Sequence, residues 1–383
     1  MAERVVVTGL GVVSSLGVTV EVFWKNLIAG ASGMSPIEAF ATGHLERRVG
    51  GEIKKYQIPA GTHHLPRSHQ FAIDACAKAL ADAGLSYPAH CDVALGSIVA
   101  GLEFLEKKHK SFKNYPLYML AANVIEMLTV RGAAFTVSGA CAAGNYAVGL
   151  AYERIKRAEA EVILAGGADY FSEGTFIGLY KVFSLAPDIC QPFDKNRKGL
   201  IPAEGAGVLV LESLSSARRR GARIYAEVLG YGASTDAYHP LIPLQEGIYG
   251  CMEDALRACG VSGSDIDYIS AHGTGTVPND KAECQAIRKL FGKARSKKIP
   301  VSSIKSMLGH AMGAASAIES IACCMAISRG ILPPTINYKT RDPECDLDCV
   351  PNTARAYRAD IILNNAFGFG GMNCSVVLGR WKN

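Results

Sequence analysis

The sequence lacks any uninterrupted apolar run long enough to span a bilayer, although 49% of its 383 residues are hydrophobic. It also lacks a secretory signal before the strand-like segment that begins at Arg4, and its twelve cysteines follow no regular spacing. We therefore expect a soluble, cytoplasmic protein with reduced thiols, with neither a membrane span nor a disulfide framework. The net charge is only +5, and no motif or interleaving of basic and aromatic residues indicates nucleic-acid binding.

Cofactor motifs are also scarce. The segment Gly9-Leu-Gly11 is no dinucleotide fingerprint, because Ser14 stands where the third glycine belongs and no acidic partner lies near residue 30. We interpret it as a strand-to-loop turn. No Cys-x-x-Cys or His-x-x-x-His pair accompanies the candidate site residues, which disfavours a metal centre. We therefore expect neither a nucleotide nor a metal cofactor.

Strand-like and helix-like segments alternate along the chain, which is typical of an α/β protein with parallel or mixed sheets covered by helices. At this length a single simple core is too small, so we expect two domains or a duplicated unit. Strands are predicted at 4–8, 93–95, 134–137, 162–165, 207–211, 226–231, 267–270, 300–302 and 374–378, and helices at 20–29, 70–83, 141–159, 247–259, 281–291 and 314–329.

The most informative segment is Phe135-Thr-Val-Ser-Gly-Ala-Cys141-Ala-Ala-Gly144. A β-prone run breaks at small residues, presents Cys141 and continues into a helical pattern. A cysteine on such a strand-to-helix turn lies at the positive end of a helix dipole among backbone N–H groups, so we expect a stabilised thiolate and donors for an oxyanion. A small buried cysteine with no chemistry is the competing interpretation.

Two histidines lie in similar settings. His272 follows a predicted strand and enters the glycine-dense loop Gly273-Thr-Gly-Thr276, and His310 follows a second strand and Gly309. A lone histidine is more often structural. Two of them beyond strand ends, together with Cys141, indicate a nucleophile with an acid/base group.

These residues carry a family resemblance. Between Val5 and Gly371 the chain resembles the elongating β-ketoacyl-acyl carrier protein synthases, the condensing enzymes of fatty acid and type II polyketide synthesis. The markers are Ala140-Cys141, Ala271-His272-Gly-Thr-Gly-Thr276, Lys305-Ser-Met-Leu-Gly-His310, Phe367-Gly-Phe-Gly-Gly371 and Pro192-Phe-Asp194. The resemblance implies the thiolase fold, a duplicated α-β-α-β-α five-layered architecture with mixed sheets. Residues 1–215 would then form the half with the nucleophile, and residues 216–383 the half with the histidines.

The resemblance also implies roles for the marker residues. Cys141 would hold an acyl chain, and its own N–H and that of Phe369 would form the oxyanion hole, with Phe369 also acting as a mobile gate. His272 and His310 would stabilise the enolate formed when a malonyl thioester loses CO2. Lys305 would support the histidines electrostatically. Glu283 would pair with Lys305, or else be an ordinary carboxylate in the first turn of a helix.

The implied partners are acyl carrier proteins with acyl and malonyl thioesters, and a homodimer or a heterodimer with a related subunit. The net positive charge suits an acidic partner. The basic segments 107–110, 218–220 and 293–298 are candidate docking sites, or simply solvated surface. A non-catalytic subunit of the chain-length-factor kind is the alternative function, which the presence of Cys141 disfavours. Small residues around Cys141 and a short segment 101–131 leave fatty acid, polyketide and polyene elongation open.

Overall fold

The computed structural model describes residues 3–43, 45–86, 90–107 and 113–382. The strands within them are β1 (Val5–Ser14), β2 (Ser35–Pro36), β3 (Val49–Gly50), β4 (Asp92–Gly96), β5 (Ala134–Val137), β6 (Val162–Asp169), β7 (Gly205–Ser213), β8 (Ala226–Thr235), β9 (Tyr268–Ser270), β10 (Val301–Ser302), β11 (Ile331–Leu332), β12 (Arg355–Ala356), β13 (Ile361–Gly368) and β14 (Met372–Gly379). The helices are α1 (Val20–Ile28), α2 (Arg67–Asp82), α3 (Glu103–Glu106), α4 (Met119–Met127), α5 (Ala143–Lys156), α6 (Glu173–Lys181), α7 (Leu214–Arg219), α8 (Gln245–Cys259), α9 (Val277–Ser296), α10 (Lys305–Leu308) and α11 (Ala315–Arg329).

Ten strands form one sheet in the order β10-β9-β13-β14-β8-β1-β7-β6-β4-β5. In one half, β1, β7 and β6 pair antiparallel, and β6, β4 and β5 pair parallel. In the other half β8, β14, β13, β9 and β10 repeat that succession. The halves join where Val5, Val6 and Val7 of β1 pair with β8. The chain is therefore a topological duplication.

The helices form three layers around the two half-sheets. On the outside, α2 covers β1, β6 and β7, and α8 covers β8 and β14. Between the halves, α5 and α11 pack on each other and contact strands of both halves. Small side chains permit this central contact, since a Cβ at Gly144 would lie 2.8 Å from the backbone nitrogen of Ala317. This is the α-β-α-β-α thiolase architecture, and the predicted fold class is confirmed.

The central helices also explain how the site forms. α5 follows β5 and α11 follows β10, at equivalent places in the repeat. The loops that precede these two helices therefore meet between the half-sheets. The boundary between residues 215 and 216 stays a prediction, and that position lies within α7.

The turn predicted at Gly9-Leu-Gly11 is wrong, because β1 runs through both glycines to Ser14. A Cβ at Gly9 would lie 2.3 Å from the Ala79 carbonyl oxygen, and one at Gly11 would lie 1.9 Å from that of Ala75. The glycines therefore let α2 lie directly on the strand.

Strand β13 was not predicted, because Asn364 and Asn365 interrupt its apolar pattern. Both amides are buried and hydrogen-bonded: Asn364 Nδ2 donates to Asn145 Oδ1 at 3.1 Å, and Ser375 Oγ donates to Asn365 Oδ1 at 2.8 Å. Among the described helices none is long and apolar enough to cross a membrane. All twelve cysteines are unpaired.

Candidate active site

Cys141 lies directly beyond β5, in a single 3₁₀ turn (Ala140–Ala142) that leads into α5. Ala140 adopts a φ of 47°, which turns the chain sharply after the strand. The end of β13 approaches this turn so closely that a Cβ at Gly368 would lie 3.0 Å from the backbone nitrogen of Cys141. The strand-to-helix turn predicted around Cys141 is therefore present.

Burial raises the pKa of the Cys141 thiol to about 11. The positive charge of Lys305 and the backbone N–H groups of Phe369 and of Cys141 itself act in the opposite direction but do not outweigh burial. Cys141 is only partly buried as a residue, because a cavity reaches it. The predicted preference for thiolate is therefore wrong, and the resting group is a thiol.

His272 follows β9, and His310 follows α10 and Gly309. Their rings meet edge to face, with centroids 5.5 Å apart and an interplanar angle of 83°. The Met312 N–H donates to His310 Nδ1 at 3.1 Å, and the Lys305 ammonium lies 3.4 Å from His272 Nδ1. Both Nδ1 atoms thus accept a hydrogen bond, which places the proton of each neutral ring on Nε2. His310 Nε2 has no partner among the described residues.

Both imidazoles are held neutral. Burial lowers the pKa of His272 and of His310 well below the ordinary value, and the neighbouring Lys305 charge lowers each further. A neutral ring whose Nδ1 is occupied can donate one hydrogen bond from Nε2. The pair therefore presents two uncharged donors.

Lys305 lies on α10 and is 1% exposed. Its ammonium group pairs with the carboxylate of Glu319, which projects from α11 and is 2% exposed. Burial raises the pKa of Glu319 to about 7, and Lys305 opposes that rise. Sequence reasoning missed Glu319. Its one signal was a carboxylate in a helix of small and apolar residues.

Glu283 fits neither of the two interpretations given to it: it forms no ion pair with Lys305, and it lies beyond the first turn of α9. It lies on α9 and accepts the backbone N–H groups of His272 at 2.9 Å and of Gly273 at 2.8 Å. Burial raises its pKa to about 7, and these two N–H donors oppose the rise. Its part in the site is to hold the His272 loop, because Glu319 has taken the place expected for it beside Lys305.

A second carboxylate missed by sequence reasoning is Asp169, at the end of β6. It is fully buried, and it accepts the Ser97 hydroxyl at 2.5 Å and the Gly313 N–H at 2.7 Å. It also accepts the N–H groups of Ile98 and Val99. Asp169 thus ties the loop after β4 to the loop that follows His310.

One cavity joins Cys141, His272, His310 and Phe369, and it encloses about 940 Å³ including its open mouth. Phe369 is 37% exposed and lies in the turn between β13 and β14. The cavity is otherwise mainly apolar, as expected of a site for an acyl chain. Thr274 and Thr276 add hydroxyl groups between the mouth and the histidines.

The Cys141 sulfur and one nitrogen from each of His272 and His310 all lie within 4.8 Å of one another. Three such ligands could hold a soft metal ion. The ammonium group of Lys305 beside His272 opposes a cation there. All the residues predicted for the centre are therefore together, and Glu283 and Lys305 lie behind His272.

Two family models match this chain. Residues 2–217 match the β-ketoacyl synthase N-terminal domain, and residues 225–339 match the β-ketoacyl synthase C-terminal domain. Nodulation protein E of Rhizobium leguminosarum bv. trifolii is 40% identical, over 97% of this chain and 98% of its own length. The 3-oxoacyl-[acyl-carrier-protein] synthase 2 of Vibrio cholerae is 38% identical, over 99% of each chain.

Two solved structures are also close. The ishigamide ketosynthase/chain length factor superposes with a TM-score of 0.95 at 39% identity and covers 100% of each chain. The type II polyketide synthase complex AntDE:AntF, an acyl carrier protein with its ketosynthase, gives a TM-score of 0.93 at 32% identity, again over 100% of each chain. This chain belongs to the β-ketoacyl synthase family of condensing acyltransferases.

Proposed function

We propose that Cys141, His272 and His310 carry out a decarboxylating Claisen condensation that joins a cysteine-bound acyl chain to a malonyl unit on an acyl carrier protein. The observation that carries this proposal is the fixed tautomer of both imidazoles, each of which has a ring nitrogen within 4.8 Å of the Cys141 sulfur. A thioester enolate needs hydrogen-bond donors on its oxygen. Two neutral imidazoles supply them without adding a charge that would favour protonation of the carbon.

The first half-reaction loads the acyl chain. The Cys141 sulfur attacks the acyl thioester carbonyl, and the carrier thiol departs with the proton that Cys141 loses. The backbone N–H groups of Phe369 and Cys141 lie close enough to the sulfur to lower the pKa of the thiol, and we assign to them the oxyanion that develops on the acyl carbonyl oxygen. One donor of this kind is worth about 3–4 kcal/mol of barrier.

The second half-reaction forms the carbon–carbon bond. The bond between the malonyl methylene and its carboxylate breaks, CO2 leaves, and the electron pair forms an enolate whose oxygen accepts from His272 and His310. The enolate carbon attacks the acyl carbonyl, the C–S bond to Cys141 breaks, and the sulfur takes up a proton from solvent, so that the condensation consumes one proton. Lys305 acts through His272 as a positioning residue, because its ammonium group fixes the ring's tautomer.

Phe369 is proposed as a gate to the cavity. It is partly exposed, and the neighbouring Gly370 has a φ of 77°, where glycine pays no steric penalty. The Gly370 N–H donates to the Pro240 carbonyl at 2.8 Å and the Asp236 N–H donates to the Gly371 carbonyl at 3.0 Å, so backbone bonds to the loop after β8 hold the turn. Rotation of the ring would open or close the approach to Cys141.

The alternative is a non-catalytic partner subunit. An ishigamide ketosynthase/chain length factor is among the similar structures, which keeps a heterodimer open. The presence of Cys141 beside two imidazoles of fixed tautomer favours a catalytic subunit over a non-catalytic one. The similar proteins include both a 3-oxoacyl-[acyl-carrier-protein] synthase and polyketide ketosynthases, so fatty acid and polyketide or polyene elongation both remain in the proposal.

A dimer is proposed through β5, which forms one edge of the ten-stranded sheet. An unpaired edge favours pairing with another strand. Exposed Tyr115, Leu117 and Tyr118 lie nearby, and Thr136 of β5 donates to the Tyr118 carbonyl. A cytoplasmic location is also proposed, on the grounds of the twelve unpaired thiols.

The test of the function is intact-protein mass after incubation with a panel of acyl-carrier-protein thioesters, without a malonyl donor. We expect one acyl adduct that disappears in Cys141→Ala and persists in Cys259→Ala, a matched control at another partly exposed cysteine. The preferred chain length then begins to separate the pathways. Absence of every adduct would favour the non-catalytic subunit. If His310→Ala retained full malonyl decarboxylation, the proposed role of His310 in stabilising the enolate would be wrong.

A further inference from the structure

Most charged side chains of the basic segments found in the sequence have carboxylate partners. Arg219 and Arg220 pair with carboxylates, as does Lys297, and residues 108–110 lie outside the described part of the chain. Asp169, by contrast, is a fully buried carboxylate whose described partners are all uncharged. It therefore needs a different explanation from these surface charges.

Four groups donate hydrogen bonds to the Asp169 carboxylate. Oδ1 accepts the Ser97 hydroxyl and the Val99 N–H. Oδ2 accepts the N–H groups of Ile98 and Gly313. Burial raises the pKa of this carboxyl, and the four donors oppose the rise. A buried carboxylate without a counter-charge costs free energy that an apolar side chain would not, and such departures are typical of functional sites.

The bond from Gly313 to Asp169 lies next to a bond on which His310 depends. The Met312 N–H donates to His310 Nδ1 at 3.1 Å, and the next N–H along the chain, that of Gly313, donates to Asp169 at 2.7 Å. The backbone angles of Met312 relate the two peptide planes that carry these N–H groups. A shift of the Gly313 N–H therefore changes the direction of the Met312 N–H.

The backbone of Met312 is strained, because its φ is 52°, in the left-handed region. A residue with a side chain keeps such a conformation only where its surroundings hold it. The Ala314 N–H closes the turn onto the Ala311 carbonyl at 3.0 Å. The bond from Gly313 to Asp169 then fixes the closed turn against the end of β6.

We propose that Asp169 is a positioning residue for His310, because it holds the turn that keeps the Met312 N–H on His310 Nδ1. Without Asp169 the strained turn relaxes, and the Met312 N–H leaves Nδ1. The neutral ring then carries its proton on either nitrogen, and the tautomer protonated on Nδ1 offers no Nε2 donor to the enolate. The inference rests on the proposed function, since it concerns the donor to that enolate.

The charge of Asp169 makes the two half-reactions respond differently. Besides burial, this charge raises the pKa of the Cys141 thiol. Its removal leaves acylation of Cys141 level or faster, since loading needs the thiolate. Loss of the His310 tautomer, in contrast, slows decarboxylation of the malonyl unit. A purely structural role for Asp169 would slow both half-reactions alike.

The test uses two variants that break the same link from opposite sides. Asp169→Ala removes the acceptor. Gly313→Ala keeps the charge of Asp169 but displaces it, because a Cβ at Gly313 would lie 2.7 Å from Asp169 Oδ2. Three quantities are measured: the rate of Cys141 acylation without a malonyl donor, the rate of CO2 release from malonyl-acyl carrier protein, and the tautomer of His310. Two-bond ¹H–¹⁵N spectra of protein labelled with ¹⁵N-histidine report the tautomer, and His310→Ala assigns its signals.

In both variants we expect CO2 release to fall about tenfold, less than the roughly hundredfold cost of removing a transition-state donor outright. Acylation does not fall, and the Nδ1 tautomer of His310 becomes populated. Ser97→Ala is the matched control, since it removes a hydrogen bond to Asp169 Oδ1 and leaves the Gly313 bond to Oδ2. This control loses stability, but its two rates keep their ratio and His310 keeps its tautomer.

A His310 ring that keeps its proton on Nε2 in both Asp169→Ala and Gly313→Ala would overturn the inference. A fall of both rates by the same factor would also overturn it, as would a change of tautomer in Ser97→Ala as large as in Asp169→Ala. Failure of the proposed function is distinguishable from these outcomes. In that case the unsubstituted protein neither acylates Cys141 nor releases CO2, whatever the tautomer of His310.

Discussion

The buried pair of Lys305 and Glu319 makes a pH-dependent prediction for Lys305→Met. Loss of the ammonium group leaves the Glu319 carboxyl in the interior without its counter-charge. Even beside Lys305 its pKa is raised from 4.5 to about 7. In the variant, therefore, the folded state keeps Glu319 protonated at pH 7, while the unfolded state ionises it.

The loss caused by the substitution depends on the pH relative to the pKa of about 7 that Glu319 has beside Lys305. Below that value Glu319 is protonated in both folded proteins, so its titration adds nothing to the loss. Above it the unsubstituted protein ionises Glu319 while the variant keeps it protonated. The loss therefore grows by about 1.4 kcal/mol for each pH unit, to about 2 kcal/mol more at pH 8.5 than at pH 5.

Urea unfolding of the variant and of the unsubstituted protein at pH 5 and pH 8.5 measures the loss on both sides of this pKa. The double variant Lys305→Met/Glu319→Leu, which buries neither charge, is expected within about 1 kcal/mol of the original stability, because apolar replacement of a buried pair is near neutral. Lys297→Met is the control, since its pair with Asp346 is partly exposed and is worth at most about 1 kcal/mol. An equal loss at both pH values, or additive losses in the double variant, would refute the reasoning.

Three further predictions concern other buried groups. Glu283→Gln flattens the pH dependence of stability between about pH 4.5 and 7. In that window the folded carboxyl holds a proton that the unfolded one has lost, so the contribution of Glu283 to stability falls as the pH rises. Urea midpoints across the window measure this dependence, and an unchanged slope in the variant would contradict the prediction. Asp169→Asn loses about 2–3 kcal/mol of unfolding free energy and slows condensation. The reason is that an amide nitrogen cannot accept hydrogen bonds from the backbone N–H groups that Asp169 binds. Unfolding and turnover measured on the same sample test this, and undiminished stability would count against it. Alkylation of Cys141 by iodoacetamide rises about tenfold per pH unit between pH 7 and 10, because the thiol is protonated at rest; a rate already level at pH 7 would indicate a thiolate.

The reactive groups of the site were predictable because each is a chemically distinctive residue in a segment that follows a β-strand. Cys141 follows β5 and His272 follows β9, while α10 and Gly309 lie between β10 and His310. Glycines mark the loops of both histidines. Alternation of strands and helices predicted the α/β class, while the five-layered duplication came only from the family resemblance. Nothing in the sequence places α5 beside α11, since that contact depends on the whole sheet.

The supporting carboxylates were not predictable, because their partners are set by tertiary packing. Glu283 is close to His272 in sequence, but it binds the backbone of the loop and not Lys305. Glu319 resembles an ordinary polar position of a helix, and only burial beside Lys305 gives it a partner. The prediction of a stabilised Cys141 thiolate was wrong for the same reason. Local N–H donors can be predicted from a turn, but the extent to which the side chain is buried cannot.

The position of β1 in the sheet has a consequence for how the protein acquires its structure. β1 is made first, yet it lies at the centre of the ten-stranded sheet, between β7 and β8. Val5 pairs with Ser213 and with Val228, more than two hundred residues later in the chain. Contacts of such long sequence separation slow folding and leave strand edges open during synthesis. The nascent chain must therefore keep β1 unpaired until β7, about two hundred residues later, has been made, and removal of β1 would separate the two half-sheets at their junction.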